Sequence, residues 1–209
     1  MGRALIKAVG RIEATRVESA LWYRCIRDDR GRPLVPEDFN APTEDQEWQI
    51  REGRFNHAGQ PHWYVADSER TAIAEVLDDE GGVVFVQCFR VGPCAKVLDL
   101  YRSLDEDDGA AAETVNLESA LAIVMMGEPD RYVDRKHAWK PGYLLPRFVM
   151  DAAKLAGFQG IKYRSTRASS GANLVLFNGK WPADYVGEPV RHEQEAHEPA
   201  SVDGDLVEM

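Results

Sequence analysis

The sequence of 209 residues is poor in the residues that build metal sites and disulfides. It has three cysteines, Cys25, Cys88 and Cys94, with no Cys-x-x-Cys pair, and its five histidines are scattered along the chain. A zinc site needs clustered cysteine and histidine ligands, and an odd, unclustered set of cysteines is typical of reduced thiols in a cytoplasmic protein. We therefore expect no metal site, reduced cysteines and a cytoplasmic location.

Long apolar runs are also missing. No stretch approaches the ~20 apolar residues that a membrane-spanning helix requires, and the first residues lack the apolar core and cleavage site of a secretory signal. The glycine patterns of Rossmann dinucleotide-binding units and of P-loops are absent as well. A hydrophobic content of 44% and a charged content of 29% are typical of a soluble globular protein. The length suits one domain with a sizeable core.

The chain carries no excess of positive charge. Its formal net charge is −10, and residues 188–209 contain seven acidic residues against Arg191 alone. This segment shows no apolar periodicity, so it predicts a disordered acidic tail behind a single folded domain over residues 1–187. Because an acidic body with an acidic tail repels a phosphate backbone, direct nucleic-acid binding is disfavoured.

Strand and helix patterns follow one another irregularly. β-Branched and aromatic runs predict strands at residues 21–26, 62–66, 81–91, 95–100, 160–165 and 172–177. Apolar residues at helical spacing predict helices at 67–79, 117–126 and 141–158. Asp67 or Ser68 would cap the first helix, and Gly157 would end the last. Since strands often follow strands directly, the order favours an α+β fold over a doubly wound parallel sheet.

The segment from Gly53 to Leu77 holds four candidates for a binding site. On a strand, Arg54 and Asn56 would point to the same side, and a guanidinium beside an amide suits a phosphate or pyrophosphate. Tyr64 could stack on a planar ligand and donate a hydrogen bond. Glu75 lies beside the apolar stripe of its helix, where it could orient a ribose hydroxyl or stabilise a developing positive charge. The alternatives are a solvated arginine, a core tyrosine and a solvated glutamate.

A second group of polar residues lies in YRSTRASSGANLVLF, residues 163–177. Small hydroxyl groups in a glycine-containing loop can bind a phosphate or an amide, although they also serve ordinary turns. No adjacent histidine and aspartate indicate a Ser-His-Asp triad. These residues alone predict an α+β domain with a candidate anion-binding cleft. The candidates in this segment are Ser165, Thr166, Ser169, Ser170 and Asn173.

The order GRFN…YVA…AIAEVL, followed later by GIKYRST…NLVLF, resembles the RES domain family, which is named for an arginine, a glutamate and a serine. The resemblance spans roughly residues 21–182. By this resemblance Arg54, Glu75 and Ser165 match the three naming residues. Phe55 stands where the family usually has tryptophan, and Arg164 stands where it usually has proline. Tyr64 matches the tyrosine of the intervening strand, and Arg24 in WYR matches the opening strand.

The resemblance implies an ADP-ribosyltransferase-like fold, with a split, mostly antiparallel sheet, flanking helices and an NAD cleft. RES proteins are usually toxins of bacterial toxin–antitoxin pairs, held inactive by an Xre-like antitoxin. We therefore expect NAD as the substrate, depleted by hydrolysis or by phosphorolysis with inorganic phosphate, with no other cofactor. The alternatives are ADP-ribosylation of a protein target and a non-catalytic module that binds a partner.

The same resemblance implies roles for individual residues. Arg54 would hold the pyrophosphate of NAD, and Tyr64 would stack against nicotinamide. Glu75 would stabilise the oxocarbenium-like ribose as nicotinamide leaves. Ser165 would either contact the nicotinamide side or position Glu75. The antitoxin is expected to insert a segment near Arg54. Three further residues are expected to help bind NAD. Arg24 would make a second phosphate contact, Asn56 would act beside Arg54, and Asn173 would support the loop that carries Ser165, called the serine loop below.

Overall fold

The computed structural model describes residues 2–27, 31–77, 81–101, 141–178, 181 and 183–195. The predicted helix at 117–126 lies outside the described residues. Within them, no helix has the length and apolar character needed to span a membrane.

The described residues form three α-helices and eight β-strands. The helices are α1 (Gly2–Val9), α2 (Glu69–Val76) and α3 (Leu144–Leu155). Short 3₁₀ helices lie at Pro36–Phe39, Glu44–Gln49 and Pro141–Tyr143. The strands are β1 (Thr15–Val17), β2 (Ala20–Arg27), β3 (Trp63–Ala66), β4 (Gly82–Val91), β5 (Cys94–Asp99), β6 (Gly160–Arg164), β7 (Ala172–Leu176) and β8 (Ala183–Gln194).

The described strands form one sheet in the order β1-β5-β6-β7-β3-β2-β4-β8. Of its neighbouring pairs only β5–β6 is parallel. The sheet is weakest between β2 and β3, where Tyr23 and Ala66 are the only paired residues. From Arg24 onward β2 no longer pairs with β3, which leaves a gap between the two strands. The predicted α+β class and the mostly antiparallel sheet are confirmed.

Both predicted helix ends are confirmed. Ser68 is the N-cap of α2, since its Oγ accepts a hydrogen bond from the backbone N–H of Thr71 at 3.2 Å. α3 has Pro146 in its first turn, where no intrahelical N–H is needed. Gly157 follows α3 with a φ of 79°, the left-handed conformation that ends many helices.

Two apolar clusters cover the two faces of the sheet. Successive strand residues point to opposite faces, so Trp63 belongs to one cluster and Tyr64 packs against the other. The cluster beside Tyr64 contains Phe55, Ile161 and the α3 residue Val149. Both α2 and α3 therefore pack on the face of the sheet to which Tyr64 points, and α2 brings Glu75 to the gap.

The last described strand corrects the predicted boundary of the domain. β8 pairs antiparallel with β4 from Ala183 to Gln194, so the prediction of disorder beginning at residue 188 is wrong for residues 188–194. Most positions of β8 are exposed because it lies at the edge of the sheet. Because β8 is held by backbone pairing and not by a buried side-chain face, its sequence shows no apolar alternation. Residues 196–209 lie outside the described residues.

Candidate active site

The gap between β2 and β3 opens into two adjoining compartments. The smaller one has a volume of about 280 Å³ and is lined by Glu75 together with residues of β2, β3, β6 and β7. The larger one has a volume of about 630 Å³ and is lined mainly by the segment 37–60. Arg24 and Tyr64 line both compartments and so form the boundary between them. Together the two volumes lie in the range of small-molecule sites, roughly 300–1,000 Å³.

Glu75 is held at one carboxylate oxygen by two buried donors. Its Oε1 accepts hydrogen bonds from Ser165 Oγ and from Asn173 Nδ2, each at 2.7 Å. The donors are only 6% and 4% exposed, and hydrogen bonds to a carboxylate are stronger than neutral ones. Glu75 comes from the last turn of α2, whereas both donors come from the β6–β7 region. The carboxylate is therefore fixed relative to the sheet.

The direction of the Ser165 hydroxyl is set by its own surroundings. Its oxygen accepts hydrogen bonds from the backbone N–H groups of Arg167 at 3.1 Å and Ala168 at 3.0 Å. With both lone pairs occupied, the single hydroxyl proton is directed to Glu75. Of the two roles expected for Ser165, the structure shows the contact with Glu75. A contact with nicotinamide stays a prediction.

The serine loop is docked tightly on the start of α2. The backbone N–H of Ser165 bonds to Gly171 O at 2.8 Å, and the Asp67 carboxylate accepts from the Ala172 N–H at 2.8 Å. A Cβ atom at Gly171 would lie 2.5 Å from Thr71 Oγ1, so any residue other than glycine would clash with α2 at this position. These contacts fix the position of the loop that bears Ser165 relative to the helix that bears Glu75.

Arg54 and Asn56 do not lie on a strand, so the common side expected for them on a strand does not apply. Gly53 and Asn56 form an isolated bridge, with Arg54 and Phe55 in the turn between them. Asn56 closes this turn because its Nδ2 donates to the carbonyls of Arg51 and His57, each at 2.9 Å. Asparagine side chains often compete with a strand ladder in this way. Asn56 is 4% exposed and lines the larger compartment, but a ligand contact for it stays a prediction.

Tyr64 holds the same turn from the sheet. Its hydroxyl donates to Asn56 Oδ1 at 2.9 Å and accepts from the Phe55 N–H at 3.1 Å. Burial raises the pKa of Tyr64, so the hydroxyl keeps its proton at neutral pH. The expected hydrogen bond from this hydroxyl to a ligand is therefore replaced by one within the protein. Stacking of the ring on a planar ligand stays a prediction.

Two arginines near the gap have no carboxylate partner within the described residues. Arg24 donates to Asn40 O at 3.2 Å, and burial lowers the pKa of Arg24 to about 10. Arg54 donates to Thr166 Oγ1 at 3.3 Å, and its guanidinium lies 5.8 Å from the centre of the Tyr163 ring. Arg24 lies in the walls of both compartments, whereas Arg54 lines neither of them. A half-buried cation without a counter-charge is costly, which favours an anionic ligand beside Arg24.

Tyr163 and Arg147 were not predicted as site residues. Tyr163 lines the smaller compartment, and its strand pairing with Asn173 is the signal that would have found it, because paired residues share a face. Arg147 is 6% exposed, and its Nε donates to Gly53 O at 3.2 Å while Nη2 pairs with Glu52 at 2.9 Å. It holds the turn that carries Arg54. No local pattern distinguishes it from a solvated helix arginine.

Neither departure from the family pattern lines the two compartments. Phe55 is fully buried in the apolar cluster with its ring 4.7 Å from that of Tyr163, and such burial stabilises the fold by about 1.5–3 kcal/mol. The Arg164 guanidinium lies 4.9 Å from the centre of the Tyr101 ring. Phe55 therefore serves the core in the place of tryptophan, and Arg164 packs on an aromatic face.

Among the described residues, the charged groups that line the smaller compartment are the carboxylate of Glu75 and the guanidinium of Arg24. Within the described part of the chain, no group of three or more His, Cys, Asp or Glu side chains is placed to hold a metal ion. The three cysteines are free. A fixed carboxylate among the rings of Tyr23, Tyr64 and Tyr163 can stabilise a positive charge that develops beside it. Arg24 can meet a negative charge at the entrance to the same compartment.

Comparison with known proteins identifies the family to which the chain belongs. The sequence matches the RES domain family over residues 21–197, a range that includes Arg24, Arg54, Glu75 and Ser165 and extends past the end of β8. No match was found among curated proteins. Among solved structures, a chain of the crystal structure of the M. tuberculosis MbcT–MbcA toxin–antitoxin complex is similar, with a TM-score of 0.48 and 17% identity over 92% of each chain. By the family match, which covers most of its length, this chain belongs to the RES domain family.

Proposed function

We propose that the chain is the toxin of a toxin–antitoxin pair and that it cleaves the nicotinamide–ribose bond of NAD. The observation that carries this proposal is the Glu75 carboxylate, fixed by Ser165 and Asn173 in a compartment with Arg24 at its boundary. NAD has a cationic nicotinamide ring and an anionic pyrophosphate. The Glu75 carboxylate would face the nicotinamide cation, and the Arg24 guanidinium, which has no carboxylate partner among the described residues, would face the pyrophosphate. Family membership supports the same substrate.

In the proposed reaction the bond between nicotinamide nitrogen and ribose C1″ breaks, and its electron pair leaves with nicotinamide. The positive charge then moves from the nicotinamide ring onto the ribose. Glu75 stabilises that charge most strongly in the transition state, which is the condition for acceleration. Water or inorganic phosphate bonds to C1″, and an attacking water releases one proton. The products are nicotinamide with ADP-ribose, or nicotinamide with ADP-ribose-1″-phosphate.

The partner in this proposal is an Xre-like antitoxin that covers the cleft near Arg54. Basic residues on the inserted segment would suit the acidic body of this chain. A co-purified partner that leaves the two compartments open to NAD would count against this arrangement.

The proposed function is tested by incubating the purified chain with NAD, with and without phosphate, and identifying the products by mass. ADP-ribose without phosphate indicates a glycohydrolase, and ADP-ribose-1″-phosphate formed only with phosphate indicates a phosphorylase. An unchanged NAD pool contradicts the proposal. If a protein in cell extract then becomes ADP-ribosylated, the chain is an ADP-ribosyltransferase. If none does, the non-catalytic module that binds a partner is favoured. Expression without a partner should arrest bacterial growth as NAD falls.

Replacing Arg54 by alanine is expected to weaken NAD binding more than it slows cleavage. Because a hydrogen bond to a charged group contributes about 1.5–3 kcal/mol, the apparent KM should rise about 10-fold or more while kcat changes less. Steady-state kinetics of nicotinamide release give both values. Arg90→Ala, on an exposed position of β4, is the matched control. An unchanged KM in Arg54→Ala would remove Arg54 from the binding site.

A further inference from the structure

The larger compartment has a wall chemistry different from that of the smaller one. Its formal charges have both signs, with Arg24 and Arg51 against Glu37 and Asp38. Asp38 is already paired with Arg32 at 2.7 Å. Much of the remaining wall consists of neutral carboxamides, which can donate and accept hydrogen bonds at once. Such a wall suits an uncharged polar group better than a phosphate. The carboxamides are those of Asn40, Gln46, Gln49, Asn56 and Gln60. Those of Asn40 and Asn56 are already bonded within the protein.

Two of these carboxamides are aligned by the 3₁₀ helix at Glu44–Gln49. In a 3₁₀ helix residues three apart lie above one another, so Gln46 and Gln49 share one side, and both line the compartment. Trp48 lies between them in sequence and is 82% exposed on another side. Gln46 Oε1 accepts from the Thr43 N–H at 3.2 Å, which orients its amide. Within the described residues the side chain of Gln49 makes no hydrogen bond, so its donor and acceptor remain available.

The position of this compartment connects it to the candidate active site. Arg24 and Tyr64 line both compartments, so a ligand that reaches from Glu75 past Arg24 enters the larger one. In a dinucleotide the group beyond the pyrophosphate is a second nucleoside. A glutamine amide matches the neighbouring N6 donor and N7 acceptor of adenine. The size, the neutral amides and the connection all point to the same kind of ligand.

We propose that the larger compartment is a purine-nucleoside site that takes the adenosine half of the substrate, with Gln46 and Gln49 reading the adenine base. This inference rests on the proposed function for the identity of the whole ligand. It makes the two glutamines specificity-determining residues, because they contact the base and not the bond that breaks.

The binding test compares ADP with IDP, whose base has a carbonyl oxygen in place of the adenine amino group. Calorimetric titrations would use the wild-type chain, the double variant Q46A/Q49A, and Q194A as a control at the exposed end of β8. A bidentate amide–base contact gives a preference of about 5- to 150-fold, so the wild-type chain should bind ADP more tightly by such a factor. The double variant should lose the preference, and Q194A should keep it.

The kinetic test compares NAD with nicotinamide mononucleotide, which lacks the adenosine half. In the double variant, kcat/KM for NAD should fall by the same factor as the affinity for ADP. Its kcat/KM for the mononucleotide should change by less than about twofold. Equal losses on both substrates, or equal binding of ADP and IDP by the wild-type chain, would overturn the inference. If NAD is not cleaved while the ADP preference is present and depends on the glutamines, the proposed function fails and the nucleoside site stands.

Discussion

Replacing Glu75 by glutamine is expected to lower the rate of NAD cleavage by a factor of about 10² to 10³, the loss typical for one preorganised group that stabilises transition-state charge. The substitution removes the negative charge but keeps the shape of the side chain. The glutamine carbonyl oxygen can still accept from Ser165 and Asn173, which now bond to Glu75 Oε1. The change therefore tests the charge of residue 75 and not the packing of α2.

The measurement is kcat for nicotinamide release, with a thermal melt to show that the variant is folded. Glu69→Gln is the matched control, because Glu69 lies on the same helix and pairs with His192 at 3.0 Å near the surface. This control should retain its activity and melt close to the wild-type chain. If Glu75→Gln cleaves NAD within a few-fold of the wild-type rate, Glu75 does not stabilise the departing charge.

Arg24→Met is expected to stabilise the fold and to weaken ligand binding at the same time. Arg24 is a half-buried cation with no carboxylate partner among the described residues, and an apolar side chain of similar length avoids the cost of removing this charge from water. We expect a gain of about 1 kcal/mol in the free energy of unfolding, or roughly 2–4 °C in Tm. The same change should weaken binding of a pyrophosphate ligand about 10-fold or more.

Thermal melts and ADP-ribose titrations of the same preparations give both quantities. Arg90→Met, on an exposed position of β4, should leave both nearly unchanged. A variant that is less stable than the wild-type chain would show that Arg24 serves the fold. A variant that binds ADP-ribose normally would show that Arg24 does not meet the pyrophosphate. Only the combination of higher stability and weaker binding agrees with a cation retained for its ligand.

The local parts of the fold could be predicted from sequence. α2 and α3 have apolar spacing, a capping serine and a terminal glycine within their own segments, and β4 is a continuous β-branched run. α1 was not predicted although its apolar residues recur at helical spacing, and β8 was not predicted because its stability is not local. α1 packs Ile6 and Val9 against the cluster beneath α3, and β8 depends on backbone pairing with β4. An exposed edge strand has no apolar alternation to detect.

The site could be predicted in its residues but not in its geometry. Glu75 and Ser165 were found by resemblance, yet they lie 90 residues apart in sequence, and no spacing rule places two donors on the same oxygen. The common side expected for Arg54 and Asn56 assumed a strand, and Asn56 lies at the end of a turn. Its side chain instead bonds to backbone carbonyls and to Tyr64. Such side-chain closures depend on residues that only the folded chain brings together.

The pairing of β8 with β4 has a consequence for the order in which the protein folds. Partners such as Val91 and Ala183, or Gly82 and Gln194, are separated by roughly 90 to 110 residues, and contacts of that range close late. β4 in turn pairs along the whole of β2, the strand that carries Arg24. During synthesis the half of the sheet that bears Arg24 can therefore be completed only after residues 183–194 have been added. A nascent chain that ends before β8 therefore leaves the outer edge of β4 unpaired.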